Sequence, residues 1–551
     1  MAGSIGPGEL RRVLRGEGEF ALLDVREQGA FAKGHLFSAS NLPLSSLELM
    51  IRAMVPRQGV PIVLMDGVLS DGSDGLAGRA AARLESFGYS DIRILDGGVD
   101  AWAEAGGELF TGVNVKSKAF GEFVEGVCDT PSVSAVELND MLEAKADLVV
   151  LDSRPLVEFQ RMNIPGAIDC PGAELVYRAH DLAPSPDTLI VVNCAGRTRS
   201  IIGAQSLINA KVANKVVALR NGTMGWHLAG FDLDHGCERH AGEVSGEGLA
   251  KASVLAEGVA RRFGVKEIGH ATLADWRAEE DERTLYLLDV RQGGEYEAGH
   301  LKGSLWAEGV QLVQKTDSFV ATRGARVVLI DDDGVRATMT ASWLIQMGFK
   351  ETWVLKDALA GQDLVIGPHL PEVPGLEDTS ADGIAAGDLA RALEDKRAIV
   401  IDLAASPDYR AGHIPGAWFA IRARLADSVV RTGAKDLAPG ASGAMVVLTS
   451  GDGVLARLAA GEVAALVEAP VRVLAGGTAA WRRAGLAMTE GFENLADETE
   501  DVFWKPYERH ERDGEVEAAM NAYLSWEIGL VDQVGRDGGA DFSIPPQGVK
   551  S

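Results

Sequence analysis

The sequence predicts an α/β protein of four tandem modules, each about 110 residues long, followed by a helical C-terminal extension. Three observations carry that prediction. A stretch of the chain recurs four times, short apolar strands alternate with helical segments, and three of the four copies close on a glycine turn followed by tryptophan.

The repeat aligns without gaps as "LLDVREQGAFAKGHLFSASNLP" from residue 22, "VLDSRPLVEFQRMNIPGAIDCP" from 150, "LLDVRQGGEYEAGHLKGSLWAE" from 287 and "VIDLAASPDYRAGHIPGAWFAI" from 400. Each copy ends an apolar strand on an aspartate (Asp24, Asp152, Asp289, Asp402), and further along come His35, Asn163, His300 and His413. A second apolar run follows in each unit: "PIVLMD", "LIVVNC", "RVVLID" and "MVVLTS". The closing turns read "LDGGVDAW", "LRNGTMGW" and "LAGGTAAW". β-Branched strands alternating with helical stretches indicate parallel α/β units. Their expected bounds are 1–112, 130–240, 262–370 and 382–490, joined by the polar linkers "GCERHAGEVSGEGLAKAS" and "PHLPEVPGLEDTSADG". The tail, 491–551, carries aromatic residues in a helical pattern and is expected to dock on a neighbouring unit.

Bulk properties narrow the function. The 551 residues, 46% apolar and 24% charged, are too many for one core and suit a globular chain. Acidic residues number 80 against 53 basic, a net charge of −27, which argues against nucleic acid or an anionic membrane as partner. The first residues lack the apolar core of a signal peptide and there is no long apolar run, so the expected compartment is the cytoplasm. The four cysteines (Cys128, Cys170, Cys194, Cys237) match neither a disulfide framework nor paired zinc knuckles, which leaves thiol chemistry as their use.

One place concentrates that chemistry. In "VVNCAGRTRSIIGAQSL", Cys194 ends a strand, a helix begins soon after, and Arg197 and Arg199 lie in the turn between. Backbone N–H groups at such a helix start stabilise an anion, and nearby guanidiniums lower a thiol pKa. Gly196 lets the backbone bend around the anion. The equivalent positions of the other repeats hold Asp66, Asp331 and Ser450, so only the second unit has a nucleophile.

Together the "LLDVR…E(F/Y)…GHI(P)GA" signature, the "GG…W" turn and the cysteine at the end of the central strand resemble the rhodanese family of sulfurtransferases, across about 490 of the 551 residues. The resemblance implies a small parallel sheet flanked by helices in each rhodanese-like module, with the active loop at the carboxyl end of the central strand. It implies one active module (Cys194) and three inactive ones, and a persulfide on Cys194 that carries sulfur from thiosulfate or a related donor to a thiol or cyanide-like acceptor. It calls for no metal and no organic cofactor. The loop residues Ala195, Gly196, Arg197, Thr198 and Arg199 are the expected substrate-binding set, with Arg197 facing the donor and Arg199 either facing it or clamping the loop. Ala195 and Arg197 depart from the commoner family pattern, so 3-mercaptopyruvate, glutathione persulfide and a protein persulfide remain alternative donors. The spacing from Cys194 to Arg199 is Cys-x4-Arg, which disfavours the Cys-x5-Arg phosphatases that share the fold.

Other residues have a structural reading beside the functional one. Asp152 and Arg154 recur in inactive modules, so they are expected to hold the fold. Glu174 and Arg178 lie four apart, as a helical ion pair or as part of the cleft. Trp226 is expected in the core, His227 at the surface or the rim, and Phe120 and Phe123 over the cleft. The alternative to an enzyme is a persulfide carrier or scaffold that relays sulfur to a protein partner.

Overall fold

Each repeat closes into a parallel sheet with one and the same strand order. In the computed structural model, which describes residues 2–67, 75–437, 443–505 and 513–545, the second sheet runs Ser132–Val133, Val216–Leu219, Leu189–Asn193, Leu148–Asp152 and Ile168–Asp169. The central strands read LIVVN and LVVLD because helices cover both faces and leave no polar side for alternation. Strand pairing sets Asp152 opposite Asn193, Asp289 opposite Ile330, Asp402 opposite Thr449 and Asp24 opposite Met65. The residue after the central strand, Cys194 in the second module, therefore stands at the carboxyl edge of its sheet in every copy.

The recurring polar residues hold this frame. Arg154 makes a two-pronged bond to Asp152 at 2.8 Å and donates to the Met162 carbonyl. Arg26 and Arg291 do the same on Asp24 and Asp289. His35, His300 and His413 are buried, stack on Phe31, Tyr296 and Tyr409 at 3.7 to 3.9 Å, and turn Nδ1 to the carbonyl of the same residue. Asn163 substitutes with an Nδ2 bond to the Phe159 carbonyl. None of the three histidines is placed for catalysis.

The modules interlock. Strand Thr322–Arg323 of the third module adds antiparallel to Phe20–Asp24 of the first sheet, a crossing the repeat pattern does not encode. Buried ion pairs tie the rest: Arg422 grips Glu48 at 2.7 and 2.9 Å between the fourth and first modules, and Arg336 reaches Glu174 at 2.9 Å between the third and second. Breaking such a pair strands a buried charge at a cost of about 3–5 kcal/mol.

The segment before the second module is a helix, Val115–Cys128. Its Phe120 is buried against Trp343 and Phe542, and Phe123 packs on Phe542, so both belong to a core shared with the third module and the tail and do not cover a cleft. The tail forms a helix, Asp513–Asp537, whose Leu530 and Trp526 pack around Phe110 of the first module. Tail residues 506–512 and the first-module segment 68–74 lie outside the described residues. All four cysteines are free thiols. Among the described residues no helix is long and apolar enough to cross a membrane.

Candidate functional site

Cys194 is 2% exposed at the end of strand Leu189–Asn193, and helix Thr198–Ala210 begins four residues later. The backbone N–H groups of Gly196 and Ser200 point at its sulfur, and its Sγ–H donates to the Ser200 hydroxyl at 3.5 Å. Ser200 in turn donates to the Arg197 carbonyl at 2.8 Å. The expected cradle is thus present. The three modules without a thiol at this position show what it is built to hold. Asp331 accepts from the N–H groups of Gly334 and Ala337 at 2.7 and 3.0 Å, Asp66 from Ala77 at 2.8 Å, and Ser450 from Ala456 at 3.3 Å. A carboxylate or hydroxyl occupies the donors that in the second module face sulfur. The cradle in the second module is therefore one that accepts an anion.

The glycine turn supports the loop from below. Gly222 has φ +54°, and a Cβ on it would overlap the Cys194 carbonyl oxygen. That close approach lets Thr223 and Met224 donate to the carbonyls of Cys194 and Ala195 at 2.8 and 3.0 Å. Gly98 and Gly477 approach Asp66 and Ser450 in the same way.

The two arginines divide their work differently from the sequence expectation. Arg197 turns away from the thiol: its guanidinium forks onto buried Glu122 at 2.6 and 2.7 Å, meets Glu125, and donates to Asn221 at 3.3 Å. Three side chains of the preceding helix and the closing turn saturate it, so it clamps the loop and does not face a donor. Arg199 is the cation nearest Cys194 in effect, although Glu158 grips it at 2.8 and 2.9 Å. Burial pushes the Cys194 thiol above its ordinary range, against the pull of Arg199, Ser200 and the Gly196 N–H. The low thiol pKa expected from two nearby arginines is not reached in this closed loop, because one arginine is spent elsewhere and water is excluded.

The tail explains the exclusion. Its Met520 and Leu524 pack with Ala195 and Met224, and Glu527 Oε2 lies 3.3 Å from where a Gly196 Cβ would be. Thr198 meets the linker helix, its Cγ2 2.9 Å from a Cβ built on Gly121. Glu174 and Arg178 form the helical pair at 2.8 Å. Glu174 also binds Arg336, and Arg178 donates to the Gly242 carbonyl, so they form a module junction and not the cleft. Trp226 is buried, its Nε1 donating to the Asp232 carbonyl at 2.8 Å. His227 is half-buried, with no hydrogen bond or ion pair to the loop among the described residues. The residues missed by sequence reading are Glu122, Glu158 and the tail face, all distant in sequence from the loop they serve.

A fold of repeated parallel sheets with one thiol in an anion-binding loop defines a rhodanese-type sulfurtransferase. The rhodanese-like domain family matches residues 7–105, 134–229, 271–361 and 385–484, and the chain belongs to that family. Among solved structures it is similar to a thiosulfate sulfurtransferase from Pseudomonas aeruginosa, with 48% identity, a TM-score of 0.92, and coverage of 99% of this chain and 100% of that one. Over 96 residues it is 32% identical to the thiosulfate sulfurtransferase GlpE of Pseudomonas fluorescens, 17% of this chain and 81% of the relative.

Proposed function

We propose that the protein transfers a sulfane sulfur from a small anionic donor, thiosulfate foremost, to a thiol or cyanide-like acceptor through a persulfide on Cys194. The observation that carries this reading is the N–H cradle of Gly196 and Ser200 around the one thiol, in the place where the other modules put a carboxylate or a hydroxyl. The Cys194 thiolate attacks the outer sulfur of thiosulfate, the sulfur–sulfur bond breaks, and sulfite leaves with the bonding pair. The acceptor then attacks the outer sulfur of the persulfide and Cys194 leaves as thiolate. Arg199 stabilises the anion at each stage, and the cradle holds the persulfide between them. The names of both relatives support thiosulfate as donor. Burial of Cys194 beneath the tail favours small molecules over a protein acceptor, which would have to displace the tail helix to reach the sulfur.

The test is thiocyanate formation from thiosulfate and cyanide by the intact protein beside Cys194→Ser, with intact mass recorded after donor alone. Turnover and the gain of one sulfur atom, both lost in the variant, are expected. A protein that gains no sulfur from thiosulfate refutes that donor, and one that gains sulfur without turnover is a carrier.

A further inference from the structure

Both loop arginines are already matched by carboxylates, Arg197 by Glu122 and Glu125 and Arg199 by Glu158, two guanidiniums against three acids. A doubly charged donor approaching Cys194 therefore needs positive charge from elsewhere. Two lysines outside the active module supply it.

Lys118 lies on the helix Val115–Cys128, three and four residues before Gly121 and Glu122. Those two touch the active loop at Thr198 and Arg197, so helical spacing puts Lys118 on the same face, one turn along. It is 4% exposed, with its ammonium over the rings of Tyr523 and Trp526 at 4.9 and 4.6 Å. Among the described residues it forms neither a hydrogen bond nor an ion pair. A buried ammonium with three unspent donors is an anion site in want of an anion.

Lys315 comes from the third module. The Gln314 carbonyl accepts from the Ser117 hydroxyl at 2.6 Å, which fixes this segment beside Lys118. Gln314 and Arg199 line one cavity of about 30 Å³, in which Gln314 Oε1 and Thr340 Oγ1 are buried without partners. Lys315 is exposed and, among the described residues, forms no ion pair. Two carboxyls face the same region, Glu527 and Asp317, and burial pushes both toward the neutral form. Burial likewise draws Lys118 down to about 8, against Glu527, so it remains largely cationic at neutral pH.

We propose that Lys118 and Lys315 form the donor's anion subsite at the mouth of the Cys194 loop and set a preference for a doubly charged sulfur oxyanion over a singly charged donor. This assigns a task to the thiol-less third module and to the linker helix: they place cations that the active module lacks. The proposal rests on the sulfur-transfer reading of Cys194.

The experiment separates the two. Thiosulfate binding is measured by calorimetry on full-length Cys194→Ser protein, where no transfer occurs. Adding Lys118→Met is expected to weaken binding by about tenfold, the size of one buried charge interaction, and Lys315→Met, at an exposed site, by about threefold, while Lys118→Arg and Lys315→Arg retain most of it. In protein that keeps Cys194, the Met variants raise KM for thiosulfate by the same factors with kcat nearly unchanged, and raise KM for the monoanion 3-mercaptopyruvate by roughly half those factors on a logarithmic scale. Unchanged thiosulfate binding, equal losses for both donors, or a fall confined to kcat overturns the proposal. If Lys118→Met fails to fold, the Lys118→Arg and Lys315 variants decide it. Protein that binds thiosulfate through these lysines yet gains no sulfur refutes the transfer reading and leaves the subsite standing.

Discussion

Gly222→Ala isolates the support beneath the active loop. The residue sits at φ +54°, where an L side chain costs about 1–2 kcal/mol. Its new Cβ would overlap the Cys194 carbonyl oxygen, so the loop or the turn must move. Movement breaks the two bonds that Thr223 and Met224 donate at 2.8 and 3.0 Å, worth about 1 kcal/mol each. The total is roughly 3–4 kcal/mol of local stability. The displaced cradle should also cost about 10²-fold in sulfur uptake, since a shift near 1 Å at reacting atoms has that effect. The controls lie in the same chain: Gly98→Ala and Gly477→Ala make the same overlap with Asp66 and Ser450. All three should destabilise their modules in hydrogen exchange, and only Gly222→Ala should slow the rate at which intact mass gains sulfur from thiosulfate. Normal uptake by Gly222→Ala, or equal loss in Gly477→Ala, would refute the reasoning.

The arginines give an opposite pair of outcomes. Arg199→Met, made together with Glu158→Gln to avoid a stranded carboxylate, removes the strongest group holding the Cys194 thiol down, so the pH profile of sulfur uptake should move alkaline and the rate at pH 7 fall by about tenfold. Arg197→Met with Glu122→Gln should leave the profile in place and lower the thermal midpoint instead; a profile shift in this pair and none in the first would show the roles reversed. Asp331 tests linkage. Burial, reinforced by Asp333, raises its carboxyl from 3.8 to about 7, so the folded state holds a proton that the unfolded chain has lost. Its contribution to stability therefore declines as pH rises from about 4 through 7, by at most a few kcal/mol. Asp331→Asn should flatten that decline relative to the parent protein, and by thermal midpoints at pH 5 and pH 8 it should be the more stable at pH 8. A parallel decline in the variant would place the effect elsewhere.

The fourfold fold was legible because its signals are local. An aspartate that ends a buried strand and a ring four residues before a histidine each sit within a few residues of their partners, and the positive-φ turn glycine, although it meets a carbonyl from the central strand, announces itself by its own local turn. The thiol-bearing loop was legible for the same reason, since the N–H groups that face Cys194 come from its next six residues. The assembly was not. The strand Thr322–Arg323 in the first sheet and the junction of Glu174 with Arg336 join residues more than 150 positions apart, and neither leaves a periodicity to read.

The turning of Arg197 onto Glu122 and Glu125 shows why a motif fixes chemistry more firmly than it fixes geometry. Two arginines near a thiol predict an electropositive loop, and that sum is correct only while nothing answers their charge. Glu122 and Glu125 approach Arg197 from a helix that sequence reading took for a linker, and Glu158 approaches Arg199 from the short helix Leu156–Arg161 after the first long strand of the module. Once those carboxylates are counted, the loop is close to neutral and Cys194 is buried with a thiol pushed upward. On the proposed subsite the missing positive charge comes from Lys118 of the linker helix and Lys315 of the third module. Under that proposal the third module, which has Asp331 where the second has Cys194, completes with the linker helix a site that the second module does not charge alone.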